Sequence, residues 1–118
     1  MENQHRKIAG YRELSQEEID LMNRIKAAGK VMLDLQAELA GRLSTAHEVK
    51  LSEARRSVIG KAKINGYSYS EWDGGTDECQ EYRRFHAAEP QRWAAIGKTD
   101  IQTGIMAMVR AVAQPAEV

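Results

Sequence analysis

The segment from Glu89 to Pro115 constrains the fold most, because it has the pattern of one long helix bounded by prolines. Pro90 suits the first helical turn, where its missing N–H group costs nothing, and Pro115 marks the end of the helix. An apolar stripe recurs between them at helical spacing: Ile101, Ile105, Met108 and Val112. The segment therefore predicts a helix that packs one face against a neighbour.

A second face of this helix is polar. At ~100° per residue its members lie within about two-fifths of a turn of one another: Arg92, Thr99, Thr103 and Arg110. Such a face can hold an anion while the apolar face packs. Gly97 and Gly104 lie one heptad apart, and each glycine costs roughly 1 kcal/mol inside a helix. Their shared face predicts a tight helix crossing or the close approach of a ligand.

A second long helix is predicted near the start of the chain, after a loose polar arm. Ser15 and Glu18 have the spacing of a capping box, so we expect the helix to begin at about Gln16 and to extend into the forties. Its apolar side is predicted to be buried: Ile19, Met22, Ile25, Met32, Leu35 and Leu39. The basic stretch Ser52–Ile64 either continues this helix or forms a separate one.

The region between the two helices is rich in turn-forming residues from Asn65 to Glu78. The alternation at Tyr67–Tyr69 favours a short extended piece, and Thr76 is a plausible cap for a short helix from Glu78 to Ala87. The sequence predicts an all-α fold: a long helical hairpin with a short N-terminal arm and a loop-rich middle excursion, forming one domain over residues 1–118.

The wide apolar faces of the two long helices predict a homo-oligomer. Two helices and a loop-rich middle cannot bury so much apolar surface within one chain, which has only one Phe and two Trp residues. Burial against other copies of the chain is therefore expected.

Composition argues against several classes of protein. The chain has 17 basic and 17 acidic residues, so it is a poor candidate for binding long nucleic acid. Cys79 is the only cysteine, which excludes an internal disulfide and fits a reducing compartment. The N-terminus lacks the apolar core of a signal peptide, and no apolar run approaches the ~18 residues of a membrane span. We expect a soluble, cytosolic protein.

No motif predicts an enzyme, a cofactor or a metal site. A nucleophilic pair of Cys79 with His47 or His86 is disfavoured by the acidic residues directly before the cysteine. The three histidines and one cysteine lack the ligand spacing of a zinc site. The GKT sequence at Gly97–Thr99 lies in a helical pattern and lacks the first glycine of a P-loop.

Two residues near the N-terminus have open interpretations. Tyr11 follows a glycine on the polar arm and could stack on a nucleobase, or it could pack on a neighbouring helix. Lys26 lies on or beside the apolar stripe and could neutralise a phosphate, or it could extend into solvent. The residues alone favour the structural interpretation in both cases.

Two long segments, His5–Lys26 and Glu89–Pro115, resemble the phage anti-CBASS sponge proteins, which sequester cyclic oligonucleotide signals. These proteins share a hairpin domain with a sponge that counters Thoeris defence. The resemblance covers somewhat under half of the chain. Residues 41–88 depart from the shorter members of the family and are expected to be an insertion or extension.

The resemblance implies a non-catalytic homohexamer in the cytosol of the infected bacterium. Its pockets would lie between protomers and bind cyclic dinucleotides such as cyclic GMP-AMP, with Tyr11 stacking on a base and Lys26 contacting a phosphate. A second kind of site would bind cyclic trinucleotides through Arg92 and Thr99 around a symmetry axis. No cofactor is implied.

Two other functions remain compatible with the residues. One is an oligomeric helical-hairpin adaptor that binds a host protein. The other is a weak binder of single-stranded nucleic acid that uses Tyr11, Tyr67, Tyr69 and the basic run from Arg55 to Lys63.

Overall fold

The computed structural model describes residues 12–116, which form three α-helices. They are α1 (Gln16–Ser57), α2 (Asp77–Ala88) and α3 (Pro90–Ala113). The extended structure in the described residues is an isolated antiparallel bridge between Ala62 and Ser68. The all-α prediction is confirmed. Tyr11 and the rest of the predicted N-terminal arm lie outside the described residues.

The predicted capping box begins α1. The Ser15 hydroxyl accepts from the Glu18 amide at 3.1 Å, and the Glu18 carboxylate accepts from the Ser15 amide at 3.0 Å. Both bonds satisfy amides that the first helical turn leaves unpaired. The helix is longer than predicted and ends at Ser57. The basic stretch is therefore divided, because its first part continues α1 and the remainder forms turns.

The connection between α1 and α2 consists of turns. Gly66 has a φ of 87°, which favours glycine, and its amide donates to the Lys63 carbonyl at 2.9 Å. The alternation around Tyr67 yields the single bridge rather than a strand. Thr76 caps α2, as predicted, and its hydroxyl accepts from the Cys79 amide at 3.1 Å.

The break between α2 and α3 occurs at Glu89. This residue adopts the left-handed conformation with a φ of 50°, and its amide donates to the His86 carbonyl at 3.1 Å. Pro90 then occupies the first position of α3, where no amide hydrogen is needed. The chain therefore ends one helix and begins the next with no longer linker.

The described residues divide into two compact units. Unit 1 consists of residues 12–36 and 97–116, and unit 2 consists of residues 37–96. Helices α1 and α3 each contribute residues to both units. None of the described helices combines the length and the hydropathy that a membrane span requires.

Unit 2 has its own hydrophobic core. The end of α1 packs on α2, with Cys79 completely buried and Tyr82 only 4% exposed. The core residues are Ala54, Val58, Cys79 and Tyr82, with Leu51 packed against them. Phe85 and Ala94 are also buried. This unit therefore has a buried apolar core within a single chain.

Unit 1 pairs α1 and α3 in antiparallel fashion. Arg12 contacts the carbonyl of Ala113, whereas Gly29, further along α1, contacts Ile105. The predicted apolar stripes are only partly covered: Met32, Leu35 and Met108 are 51%, 55% and 52% exposed. The prediction that the α1 stripe is buried is therefore wrong for the single chain, because the stripe is wider than the surface that α3 covers.

Candidate functional site

An apolar groove of about 430 Å³ lies between α1 and α3 in unit 1. Arg24 and Asp100 are the charged residues at its edge. The remaining lining is Leu21, Ile25, Ala28, Gly29, Met32, Ile101, Gly104, Ile105 and Met108. An open apolar groove of this kind is typical of an interaction surface.

Helices α1 and α3 approach each other closely at Gly29. A Cβ atom there would overlap Ile105, whose Cγ1 atom would be 2.6 Å away. At Gly97 and Gly104, by contrast, an added Cβ would meet no atom within 4 Å. The tight crossing predicted at these two glycines is therefore wrong for the single chain. The sequence does not predict this contact, because a single glycine in a helical pattern does not reveal what packs against it.

Arg12 joins the start of the described chain to the end of α3. Its Nε donates to the Ala113 carbonyl at 3.0 Å and its Nη2 to the Val112 carbonyl at 2.6 Å. The same guanidinium forms an ion pair with Glu18. The last carbonyls of a helix lack partners within the helix and carry partial negative charge, so a guanidinium there is stabilising.

Glu18 therefore belongs to both the capping box and the ion pair. The hydrogen bond from Arg12, followed by that from the Ser15 amide, lowers the pKa of Glu18 from 4.5 to about 2. The hydrogen bond to Glu18 also raises the pKa of Arg12. Both groups are therefore charged at neutral pH. The hydrogen bonds that Arg12 donates to Glu18 and to the end of α3 are therefore charge-assisted.

Lys26 is exposed on α1, and no hydrogen bond or ion pair links it to another described residue. Lys30, one turn further along, instead pairs with Asp34 at 3.0 Å. Tyr11 lies outside the described residues, so its proximity to Lys26 stays a prediction.

Arg92 and Thr99 are both exposed on α3, as the polar stripe predicted. The Arg92 guanidinium lies 3.7 Å from the Glu89 carboxylate and 5.2 Å from the centre of the Trp93 ring. Trp93 is 59% exposed. Arg92 therefore sits beside an exposed aromatic surface in unit 2, and its pairing with Thr99 in a ligand site stays a prediction.

An aromatic cluster in unit 2 was missed by the sequence reasoning. Trp72 meets Tyr82 and His86 edge to face, with ring centres 5.2 and 4.8 Å apart. His47 lies 5.7 Å from Tyr82 and 6.3 Å from Phe85. The four-residue spacing of Tyr82 and His86 indicates that the two rings share a face of α2. Nothing in the sequence linked them to Trp72.

Cys79 serves the packing of unit 2. Its thiol lies 3.5 Å from the Ala54 carbonyl and 3.7 Å from the Ser57 hydroxyl. His47 and His86 contact the aromatic rings described above rather than this sulfur. Among residues 12–116, no group of three or more His, Cys, Asp or Glu side chains is arranged to hold a metal ion.

The hairpin architecture agrees with a comparison of sequences. A family model described as Acb2/Tad1, hairpin domain, matches residues 4–113. The chain belongs to this family. A curated relative, Anti-CBASS protein 2 of Pseudomonas phage JBD67, is 60% identical over 115 residues, which cover 98% of this chain and 97% of the relative.

The match to the Acb2/Tad1 hairpin family extends across both units. Because the JBD67 protein aligns over nearly its whole length, the match includes the middle segment in which α2 lies in this chain. The relation of residues 41–88 to shorter family members stays a prediction.

Proposed function

We propose that this protein is a phage anti-defence protein that binds cyclic oligonucleotide immune signals in the cytosol of the infected bacterium and sequesters them without cleaving them. The observation that carries the proposal is the 60% identity to Anti-CBASS protein 2 along nearly the entire chain. At this identity and coverage, a shared anti-CBASS function is a better expectation than a shared fold alone.

The dinucleotide part of the proposal rests on Tyr11 and Lys26. Tyr11 stacks on a base, and Lys26 neutralises a phosphate as a point charge. The exposed position of Lys26, which has no acidic partner among residues 12–116, supports this role. A lysine already paired with a carboxylate would have to break that pair before it could bind a phosphate.

The trinucleotide part of the proposal rests on Arg92 and Thr99. Copies of α3 around a three-fold axis would provide a ring of guanidinium and hydroxyl groups for three phosphates. Arg provides charge-assisted and potentially bidentate contacts. The exposure of both residues on α3 supports the proposal.

The proposal includes a homo-oligomer, with a hexamer expected. The open apolar groove of unit 1 and its exposed side chains, including Met106 at 71%, support burial by other copies.

A sponge acts by mass action, so it must bind its ligand more tightly than the host effector does. A Kd of about 1 nM corresponds to about −12 kcal/mol, and a rigid assembly approaches it by avoiding ordering costs.

Uptake followed by recovery tests this function. The purified protein is incubated with cyclic GMP-AMP, separated from free ligand and denatured, and the released nucleotide is identified by mass spectrometry. Intact recovery at a stoichiometric amount supports sequestration. A cleaved product would indicate an enzyme, and an absence of uptake would favour an adaptor that binds a host protein.

A titration of variants tests the two sites separately. Lys26→Ala is expected to weaken dinucleotide binding by more than about tenfold, whereas Lys30→Ala, on the same helix, should leave it unchanged. Arg92→Ala should abolish trinucleotide binding and spare dinucleotide binding, with Arg84→Ala as its matched control. Loss of both ligands in Arg92→Ala, with the oligomer intact, would contradict separate sites.

A further inference from the structure

We infer that Trp93 stacks on a base of the bound cyclic trinucleotide, beside the phosphate that Arg92 binds, so that two neighbouring residues of α3 recognise one nucleotide together. The inference rests on the proposed trinucleotide site and assigns to it a residue that recognises a base. Glu89, Arg92 and Trp93 all belong to unit 2 and to the residues that the structure describes.

Trp93 lies on the surface although it is the larger of two apolar neighbours on α3. It is 59% exposed, whereas Ala94 is 7% exposed. Consecutive helical residues point about 100° apart, so burial of the alanine directs the tryptophan outward. A large aromatic side chain that stays outside the core of its own unit is suited to contact a ligand.

Trp72, the other tryptophan of the chain, already has aromatic partners. It meets Tyr82 and His86 edge to face, as described above. No aromatic ring among residues 12–116 packs against Trp93 in this way, and the charged group of Arg92 lies beside its ring instead. Trp93 therefore keeps ring surface on which a base can stack.

Arg92 lies between a carboxylate and this ring. Its guanidinium carbon is 5.2 Å from the centre of the Trp93 ring, within the ~6 Å over which a cation is attracted to an aromatic face. The Glu89 carboxylate is 3.7 Å away, and both charged side chains are more than half exposed, so this pair is weak. A phosphate can therefore replace Glu89 while the ring keeps the guanidinium beside it.

A nucleotide has the two chemical features that this pair can bind. Its phosphate accepts charge-assisted hydrogen bonds from Arg92, and its base offers a flat π surface to Trp93. Stacking on an aromatic side chain tolerates any base, because every base has such a surface. Loss of one stacked base corresponds to about five- to 150-fold weaker binding.

Calorimetry with cyclic tri-AMP tests the role of the ring. Trp93→Ala should bind at least about fivefold more weakly than the wild type. Trp93→Phe should retain more affinity than Trp93→Leu, because both are apolar but only phenylalanine offers a π surface. Tyr67→Ala, which truncates another exposed aromatic side chain of unit 2, is the matched control and should bind as the wild type does.

Tryptophan fluorescence tests for direct contact. Trp72→Phe leaves Trp93 as the only tryptophan, and cyclic tri-AMP should then quench its emission in proportion to the fraction of protein bound. Arg92→Ala in the same background should abolish the quenching, because the phosphate contact is lost. Bound ligand without quenching would overturn the inference, as would equal affinity of Trp93→Phe and Trp93→Leu.

The variants also separate base stacking from the proposed site and from assembly. If Arg92→Ala leaves cyclic tri-AMP binding unchanged, the proposed trinucleotide site is wrong, and the role of Trp93 falls with it. If Arg92→Ala abolishes binding while Trp93→Ala binds as the wild type does, the site stands and only the stacking role is wrong. If Trp93→Ala changes the oligomeric state measured by light scattering, the quenching of Trp93 in the assembled Trp72→Phe protein decides between contact with the ligand and contact with another protein surface.

Discussion

The two units of this protein differ in whether their apolar side chains form a buried core. Unit 2 buries a core within one chain, where Cys79, Tyr82 and Phe85 are 0%, 4% and 6% exposed, although Trp93 and Tyr67 at its surface are 59% and 72% exposed. Unit 1 leaves Val31 and Leu35 at 60% and 55% exposed, and among its described residues no apolar side chain is buried. A third helix makes the difference, because α2 closes over the end of α1, whereas in unit 1 two helices cover each other along one stripe.

The difference teaches that a similar apolar pattern can have two purposes. In unit 2 it specifies a core that contributes to the stability of the single chain. In unit 1 it provides surface that is stabilising only when something else covers it. Mutations in the two units should therefore differ in how their effects depend on protein concentration.

The largest expected effect is in the core of unit 2. Phe85→Ala should lower the free energy of unfolding by about 3–5 kcal/mol, because it removes buried surface and leaves a cavity. Tyr67→Ala, which truncates an aromatic side chain that is 72% exposed, is the matched control and should cost less than about 0.5 kcal/mol. Denaturation in urea, followed by circular dichroism, measures both.

Leu35→Ala extends this test to unit 1. The loss in the free energy of unfolding that it causes should increase with protein concentration if other copies cover the exposed stripe. A cost as large as that of Phe85→Ala at every concentration would contradict the proposed contrast between the units.

An intermediate effect is expected at the helix crossing of unit 1. Gly29→Ala should destabilise by about 1–3 kcal/mol through overlap with Ile105, partly offset by about 1 kcal/mol of improved helix propensity. Gly41→Ala, where an added Cβ meets no atom within 4 Å, should instead be stabilising. If Ile105→Ala fails to relieve the loss of stability caused by Gly29→Ala in a double-mutant cycle, overlap with Ile105 is not the source of that loss.

The smallest effect on stability is expected when the pH is lowered. In unit 2, hydrogen bonds from Arg84 and Lys50 lower the pKa of Glu81 from 4.5 to about 2. The unfolded chain therefore binds more protons in this range, so this stabilisation is present above the ordinary pKa and is lost as the pH falls from 4.5 to about 2. Glu81→Gln should flatten the pH dependence of the unfolding midpoint there, whereas Glu53→Gln should not. If the unfolding midpoint of Glu81→Gln depends on pH as steeply as that of the wild type, these exposed ion pairs do not contribute to stability.

The helices could largely be predicted from the sequence because their signals are local. The Ser15 and Glu18 capping box, the Thr76 cap and Pro90 each act within a few residues, and each has the predicted role. The end of α1 was harder to predict, because Ser52–Ile64 has helix-forming residues on both sides of Ser57. Packing of Val58 into the core accompanies the turn that ends the helix there.

The contacts that matter most for the candidate site were beyond sequence reasoning. Nothing in the sequence around Arg12 indicates that this residue reaches residue 113, and a single glycine does not indicate that Ile105 packs on it. Both are long-range contacts whose partners are set by the pairing of α1 with α3. Lys26, Arg92 and Thr99 are exposed as their patterns suggested, but exposure alone does not show which residues meet at a ligand.

The complete burial of Cys79 gives the protein an internal reporter. It is the only cysteine in the chain, so a thiol reagent can mark one place. Labelling requires unit 2 to open, and when opening is rapidly reversible the labelling rate gives the equilibrium between closed and open forms. Mass spectrometry of the labelled chain would thus follow one unit without engineered probes. Ligand binding that slows labelling would show that its stabilisation extends to unit 2.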